Sequence, residues 1–415
     1  MSESKSLHVL IVGGGIGGLS AAIALRLQGH QVEVFEKSSL HTELGNAVYC
    51  APNCTAALSH LGVYPGDIGG VLNNGFKFLD ADCNLTRTMM LTEEDRARWV
   101  AEWYLIARVD LHNALKRQAT TADRPGLPVK IHTGRTVTKL DCESATITLV
   151  DGSTVGGDLV VGADGVHSQT RPSILGHETL LVNHGICCYR LLISVADLLA
   201  DPETSIFADN PGVFVQVTGD DGRICLYPCS SGRVMNLAAF VPKDEVGEIE
   251  KGLTGYDQTA NKKQLMGHFR NFSPAVLRML DKAPENSVKV WDLLDMDLQP
   301  SLIKDRALLI GDAAHPFLPH MGQGAAQAIE DGCALGVVLP LGTTADDVPK
   351  RLELWQQLRK ERAHQVVEFT RHRAREANGV QGPPQTEEQF AAAMAYCINH
   401  DAWENAEKRL ADSRR

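Results

Sequence analysis

The chain has 415 residues, 44% hydrophobic and 22% charged, the make-up of a soluble globular protein with more than one core. Forty basic residues against 51 acidic ones leave a net charge of −11, which argues against general nucleic-acid binding, since phosphate contacts need a basic surface. The ten cysteines are too scattered for a disulfide framework, no stretch approaches the ~18 apolar residues of a membrane span, and the opening "MSESKSLHVLIV" lacks a signal-peptide pattern. A reduced, cytoplasmic setting is therefore expected.

In chain order, residues 7–12, "LHVLIV", read as a short buried strand. Residues 16–28 carry Ile16, Leu19, Ile23 and Leu27 at helical spacing, and Gly29 stops the helix. "QVEVFEK" is a second strand ending on Glu36 and Lys37. Between the first strand and the helix, Gly13, Gly15 and Gly18 fit G-x-G-x-x-G. The first glycine permits a tight turn, the second lets a pyrophosphate approach bare backbone, and the third lets helix and strand pack closely. The helix N-terminus offers N–H groups to the anion, and Glu36 is placed to accept hydrogen bonds from a ribose. This is a dinucleotide site; FAD and NAD both use such a turn.

Residues 71–101 read as polar and strand-poor. "RTVTKL", "ATITLV" and the Asp151-Gly152 turn form a small antiparallel hairpin. "DLVVGADGVHS" is another strand, running into Asp164. Residues 213–241 alternate as strands joined by turns at Asp221-Gly222 and Ser231-Gly232; Cys225 and Cys229 fall here as small buried residues rather than metal ligands. "ALLIGDAAHP" is a strand ending at Gly311-Asp312, followed by a bent loop through Pro319, Gly322, Gln323 and Gly324 and then a helix. "RLELWQQLRKERAHQVVEFTRHRAREAN" is a long helix whose basic tail is a solvated face; "GVQGPPQ" breaks it, and the last 30 residues read as one helix suited to oligomerisation or a lid.

The glycine loop, "GADG" and "GDAAHP", in this order and spacing, closely resemble the single-component FAD-dependent aromatic hydroxylases, whose members include salicylate hydroxylase, 6-hydroxynicotinate monooxygenase and p-hydroxybenzoate hydroxylase. The resemblance runs from about residue 7 to about 375. It implies an α/β fold: a Rossmann-like FAD-binding domain with a parallel sheet (1–70, 102–180, 289–375), interrupted by an antiparallel-sheet, α+β substrate domain (71–101, 181–288), and a C-terminal helical segment (376–415). It further implies FAD as cofactor, NADH or NADPH as transient reductant, and O2 delivered to a small aromatic substrate through a flavin C4a-hydroperoxide. The chain would be a monomer or homodimer, with no nucleic-acid or membrane partner.

The residue roles follow from the same resemblance. Glu36, with Lys37 beside it, looks like the adenosine-ribose ligand. Arg108 resembles the arginine at the ribityl–phosphate region, and Asp312 the aspartate bonded to the ribityl chain. Asp164 resembles the residue linked to FAD and NAD(P)H binding, often by holding structure. Pro319 to Gly324 look like the loop beside the isoalloxazine ring, and residues 43–53, with Gly45-Asn46-Ala47 in place of the usual Gly-Ala-Gly, like the segment over its other side. In the pocket, Arg190 is the expected binder of a phenolate or carboxylate, and His320 the expected acceptor of a phenol proton. Tyr49 stands where some members carry an active-site His, and Tyr227 and Pro319 line the pocket; His315 looks structural. Epoxidation or oxidative dearomatisation of a natural-product scaffold is the alternative activity, and a non-catalytic flavin sensor the alternative class.

Overall fold

Strand His8–Val12 is buried from Val9 onward, as a continuous apolar run with two β-neighbours must be. It lies inside a six-stranded sheet in a computed structural model that describes residues 6–40, 47–243, 260–285, 287–377 and 385–412, side chains excepted at 376 and 377. The strand order is Ile303–Lys304, Ala307–Leu309, Leu159–Gly162, His8–Val12, Gln31–Glu36, Lys130–Thr133. All pairings are parallel except the short edge strand Ile303–Lys304. Register sets Val12 beside Gly162, and Gly162 beside Leu309. Three motifs separated by some 150 residues each therefore leave the sheet side by side at its carboxyl edge, where open α/β sheets bind ligands. Helix Ile16–Leu27 follows the first strand and packs on helix Gly324–Val338.

A second, seven-stranded sheet runs Lys289–Met296, Leu181–Ser194, Val234–Pro242, Gly222–Cys229, Val213–Gly219, Gly75–Asp80, Leu85–Met90. It is antiparallel except where Val213–Gly219 pairs parallel with Gly75–Asp80. The last two strands correct the strand-poor reading of 71–101. Leu85–Met90 is an edge strand exposed at every position, so no face of it needs an apolar alternation. In the other strands the period-2 pattern divides the sheet. Val215, Val217, Ile224, Leu226, Leu237 and Ala239 pack with Leu265, Val276, Met279 and Leu280 from helices Lys262–His268 and Pro274–Asp281. Each large side chain so buried stabilises by roughly 1.5–3 kcal/mol relative to exposure. The opposite face carries Arg190, Phe214, Arg223, Cys225, Tyr227, Phe240 and Trp291 and forms one wall of a cleft.

A three-stranded antiparallel sheet, Val137–Asp141, Thr146–Leu149 and Thr154–Gly156, extends the expected hairpin by one strand. Another, Ala47–Cys50, Tyr104–Ala107 and Val71–Leu72, packs Ala47, Leu105 and Ala107 against Phe214 and Tyr227 of the seven-stranded sheet. The long helix is Val348–Ala377. The C-terminal part is two helices, Glu387–Ile398 and Ala402–Asp412, not one. Asp401 makes the break: its Oδ1 accepts from the Trp403 and Glu404 N–H groups, capping the second helix. Most of the "GVQGPPQ" breaker lies outside the described residues.

Candidate active site

The glycine loop divides its labour. Gly13 has φ +106°, and a Cβ there would run into the Ala163 carbonyl of the neighbouring motif. A Cβ on Gly18 would collide with the Gly13 carbonyl oxygen, so helix and turn could not close. A Cβ on Gly15 would meet nothing within 4 Å, because Gly15 faces the open cleft. Gly15 is also the N-cap of helix Ile16–Leu27, with no side-chain cap and no acid in the first turn. Helix Gly324–Val338, entered through Gln323, likewise lacks a side-chain cap and a first-turn acid, and Gly324 also lines the cleft. Two bare helix N-termini thus open on one cleft, an arrangement suited to the phosphates and electron-rich ring of a flavin dinucleotide. The residues present fit FAD.

Around this cradle, Arg108 at the start of helix Arg108–Thr120, Asp312 and Gly322 line the same cleft. Glu36 stands at the end of its strand, accepting from the N–H groups of Gly14 at 2.7 Å and Ser38 at 2.8 Å. Lys37 is exposed and off the cleft wall. Asp164 is wholly engaged: it accepts from Ser168 Oγ, Thr170 Oγ1 and the N–H groups of Gln169 and Thr170, all within 3.0 Å. It braces its loop and does not line the cleft, nor do Gly13, Gly18 or Gln323. The side chain of Gln323 accepts from Asn53 Nδ2 at 2.9 Å on the side away from the cleft. Gly45 and Asn46 lie outside the described residues.

Sequence reading missed Arg171. Buried on a short helix, it donates to the carbonyls of Val166, Asp312 and Ala313 at 2.7–3.1 Å, tying the "GADG" loop to the "GDAAHP" segment. It also missed the ionic cluster beneath helix Gly324–Val338. Glu330 receives Arg359 and Arg362 at 2.5–2.8 Å, and Asn53 at 2.7 Å. Asp331 receives Arg359, His315 and the Gly311 N–H at 2.7–3.0 Å, so His315 is structural as expected. Burial opposes the ionisation of both carboxylates, but the flanking cations hold them below the usual carboxylate range.

The cleft encloses about 1450 Å³. Part of its wall is aromatic: Tyr49 stacks on Tyr227 with ring centroids 4.7 Å apart, and Phe214 and Trp103 close round it. Burial pushes both tyrosine hydroxyls well above their ordinary value, so neither is a base at neutral pH. Two arginines line the same cleft. Arg190 lies 4.3 Å over the Trp291 ring, and Arg223 lies 4.5 Å over the Phe240 ring. Arg223 Nη2 is 2.8 Å from His320 Nδ1. Burial, then Arg223 and Arg373, push the His320 pKa down to about 3, so the ring is neutral at physiological pH. A guanidinium only donates, so Nδ1 is occupied as acceptor and the hydrogen is assigned to Nε2; the ring donates and is no ready proton acceptor. Pro319 precedes it on the cleft wall. Helix Glu387–Ile398 supplies Phe390, Met394 and Ile398 to the same wall, which gives the C-terminal segment a place at the site.

Residues 6–370 match the family described as FAD binding domain. Hispidin-3-hydroxylase of Neonothopanus nambi is 34% identical over 378 residues, 88% of each chain. Among solved structures, the salicylate hydroxylase substrate complex superposes with TM-score 0.74 at 25% identity, covering 98% of each chain. CtdE in complex with FAD and a substrate superposes with TM-score 0.80 at 21% identity over 99% of this chain and 100% of that one, a likeness of fold. The chain belongs to the FAD-binding family of single-component flavoprotein hydroxylases. It is an FAD-dependent monooxygenase of that family.

Proposed function

We propose that the chain hydroxylates an aromatic substrate: substrate, O2, NADH or NADPH and a proton yield the hydroxylated product, NAD(P)⁺ and water. FAD supplies the hydride acceptance and the oxygen activation. The protein's part is to hold FAD, orient the ring and exclude bulk water. The observation that carries this reading is the single cleft in which an uncapped, glycine-lined cradle meets an aromatic wall and two arginines. The names of the hispidin and salicylate relatives support an aromatic substrate.

In this reading Gly15 lies against the diphosphate, Glu36 holds the adenosine ribose, and Arg108 and Asp312 hold the ribityl–phosphate region. Pro319 to Gly324 pass beside the flavin ring. Arg190 faces the anionic oxygen of a phenolate or carboxylate. Because His320 is not a ready base, ionisation of a phenol rests on the fixed charges of Arg190 and Arg223, which favour the phenolate electrostatically. Tyr49 and Tyr227 form the flat wall for the ring. Residues 71–101 and 181–288 serve as the substrate domain.

The test is oxidation of NADH and of NADPH by the FAD-loaded protein, with phenols, aromatic carboxylates and N-heterocycles in turn. Stimulated oxidation with a product one oxygen atom heavier is expected. Arg190→Ala lowers kcat/KM about 10- to 150-fold, the worth of one charge-assisted hydrogen bond of about 1.5–3 kcal/mol. Absence of stimulation by any of these classes would remove the reading.

A further inference from the structure

Arg223 comes from strand Gly222–Cys229 and His320 from the loop ahead of helix Gly324–Val338, 97 positions later. The pair is built rather than incidental. The Arg223 guanidinium is seated on Phe240, whose ring centroid is 6.0 Å from that of His320, so three planar groups constrain one another. The guanidinium has no acceptor atom, so the short contact to Nδ1 has one polarity only. His320 Nε2 has no hydrogen-bond partner among the described residues, and the ring lines the cleft.

We propose that Arg223 is a positioning residue: it fixes His320 in the tautomer with hydrogen on Nε2, so that the cleft presents a neutral hydrogen-bond donor and selects a substrate bearing an acceptor oxygen against it. A carbonyl, phenolate or carboxylate satisfies that donor. A protonated amine would meet a donor backed by the Arg223 guanidinium, and is rejected. The inference rests on the reading of the cleft as the substrate site.

Besides burial, the charges that act on His320 do so in the same sense: Arg223 from its strand, Arg373 from helix Val348–Ala377 and His184 from strand Leu181–Ser194. No acid offsets them in that set. The imidazole thus has no partner that would favour its charged form, and it stays a donor across the range in which an ordinary histidine titrates.

The experiment is a long-range nitrogen–proton correlation spectrum of the FAD-loaded, histidine-labelled protein, with the His320 signals assigned by loss in His320→Gln. In the wild type, His320 is expected as the Nε2–H tautomer, with no protonation between about pH 8 and pH 5. Arg223→Lys keeps a cationic donor and is expected to keep this signature. Arg223→Met removes the donor; the two tautomers then average, and the midpoint moves up by at least about one pH unit toward the ordinary ~6.5. A wild-type Nδ1–H tautomer, a wild-type midpoint above about 5.5, or an unchanged signature in Arg223→Met would each overturn the proposal. The spectra need no substrate, so they stand whether or not turnover is found, and a failed hydroxylation assay leaves the tautomer result intact. Retained flavin absorbance in each variant shows that the fold survives.

Discussion

Tyr49 lies directly against Gly322: a Cβ at position 322 would stand 2.5 Å from Tyr49 Cδ2. Gly322 also has φ +63°, which a larger residue tolerates poorly. The contact joins the aromatic wall to the loop that opens helix Gly324–Val338. Gly322→Ala should therefore lose about 1–3 kcal/mol in urea unfolding, through strain and overpacking. Adding Tyr49→Ala should recover the overpacking part, so the two changes are coupled. Additive losses would show that the ring and the loop are independent.

Gly15 and Gly18 differ by three positions and should behave oppositely. Gly18→Ala meets the Gly13 carbonyl and should destabilise the protein without ligand by more than about 2 kcal/mol. Gly15→Ala meets open space and should leave that stability within about 0.5 kcal/mol while weakening FAD binding at least about tenfold. Urea unfolding and FAD titration of both variants separate the two effects.

Glu330 holds two buried arginines, so Glu330→Gln should cost about 3–5 kcal/mol by leaving charge uncompensated. Its carboxyl lies below its ordinary value in the folded state. The stabilisation is therefore present above the unfolded value near ~4.5 and is lost as pH falls toward the folded value. The difference in unfolding free energy between wild type and variant should be flat near neutrality and shrink in acid.

Legibility in the sequence followed the range of the interactions. The glycine loop, Glu36 and the two Gly-Asp motifs are local patterns whose residue types are forced by backbone geometry, and they were readable. Arg171, Glu330 and Arg223 were not. Each acts through partners brought close only by packing: Arg171 bonds Ala313 across 142 positions, Glu330 bonds Arg362 across 32, and Arg223 bonds His320 across 97. In one dimension Glu330-Asp331 is two acids in an alanine-rich helix, and Arg223 follows a turn. Strand Leu85–Met90 was missed because it is exposed at every position and shows no hydrophobic period. The contact that bears on the His320 proton was not readable either, because Arg223 is a neighbour that the local sequence does not show.

His60 ties the C-terminal helix to the core. Its Nε2 is 2.8 Å from Asp401 Oδ2, and its ring stacks on Trp403 at 5.4 Å. The bond to Asp401 raises its pKa above the ordinary value. The protonated form stabilises the fold, fully so below the unfolded value of ~6.5, and the gain is lost as pH rises through the folded value. His60→Asn should lower the melting temperature more at about pH 6 than at about pH 8.5. An equal loss at both would show that the ring acts by stacking alone.

All of the proposed chemistry depends on FAD seated against the bare loop from Gly13 to Gly18. The most direct measurement is the visible absorbance of the purified protein, followed by titration of stripped protein with FAD. Flavin absorbance saturating at one FAD per chain is the expected result. A protein that is colourless as purified and still colourless after incubation with FAD would show that the loop holds no flavin.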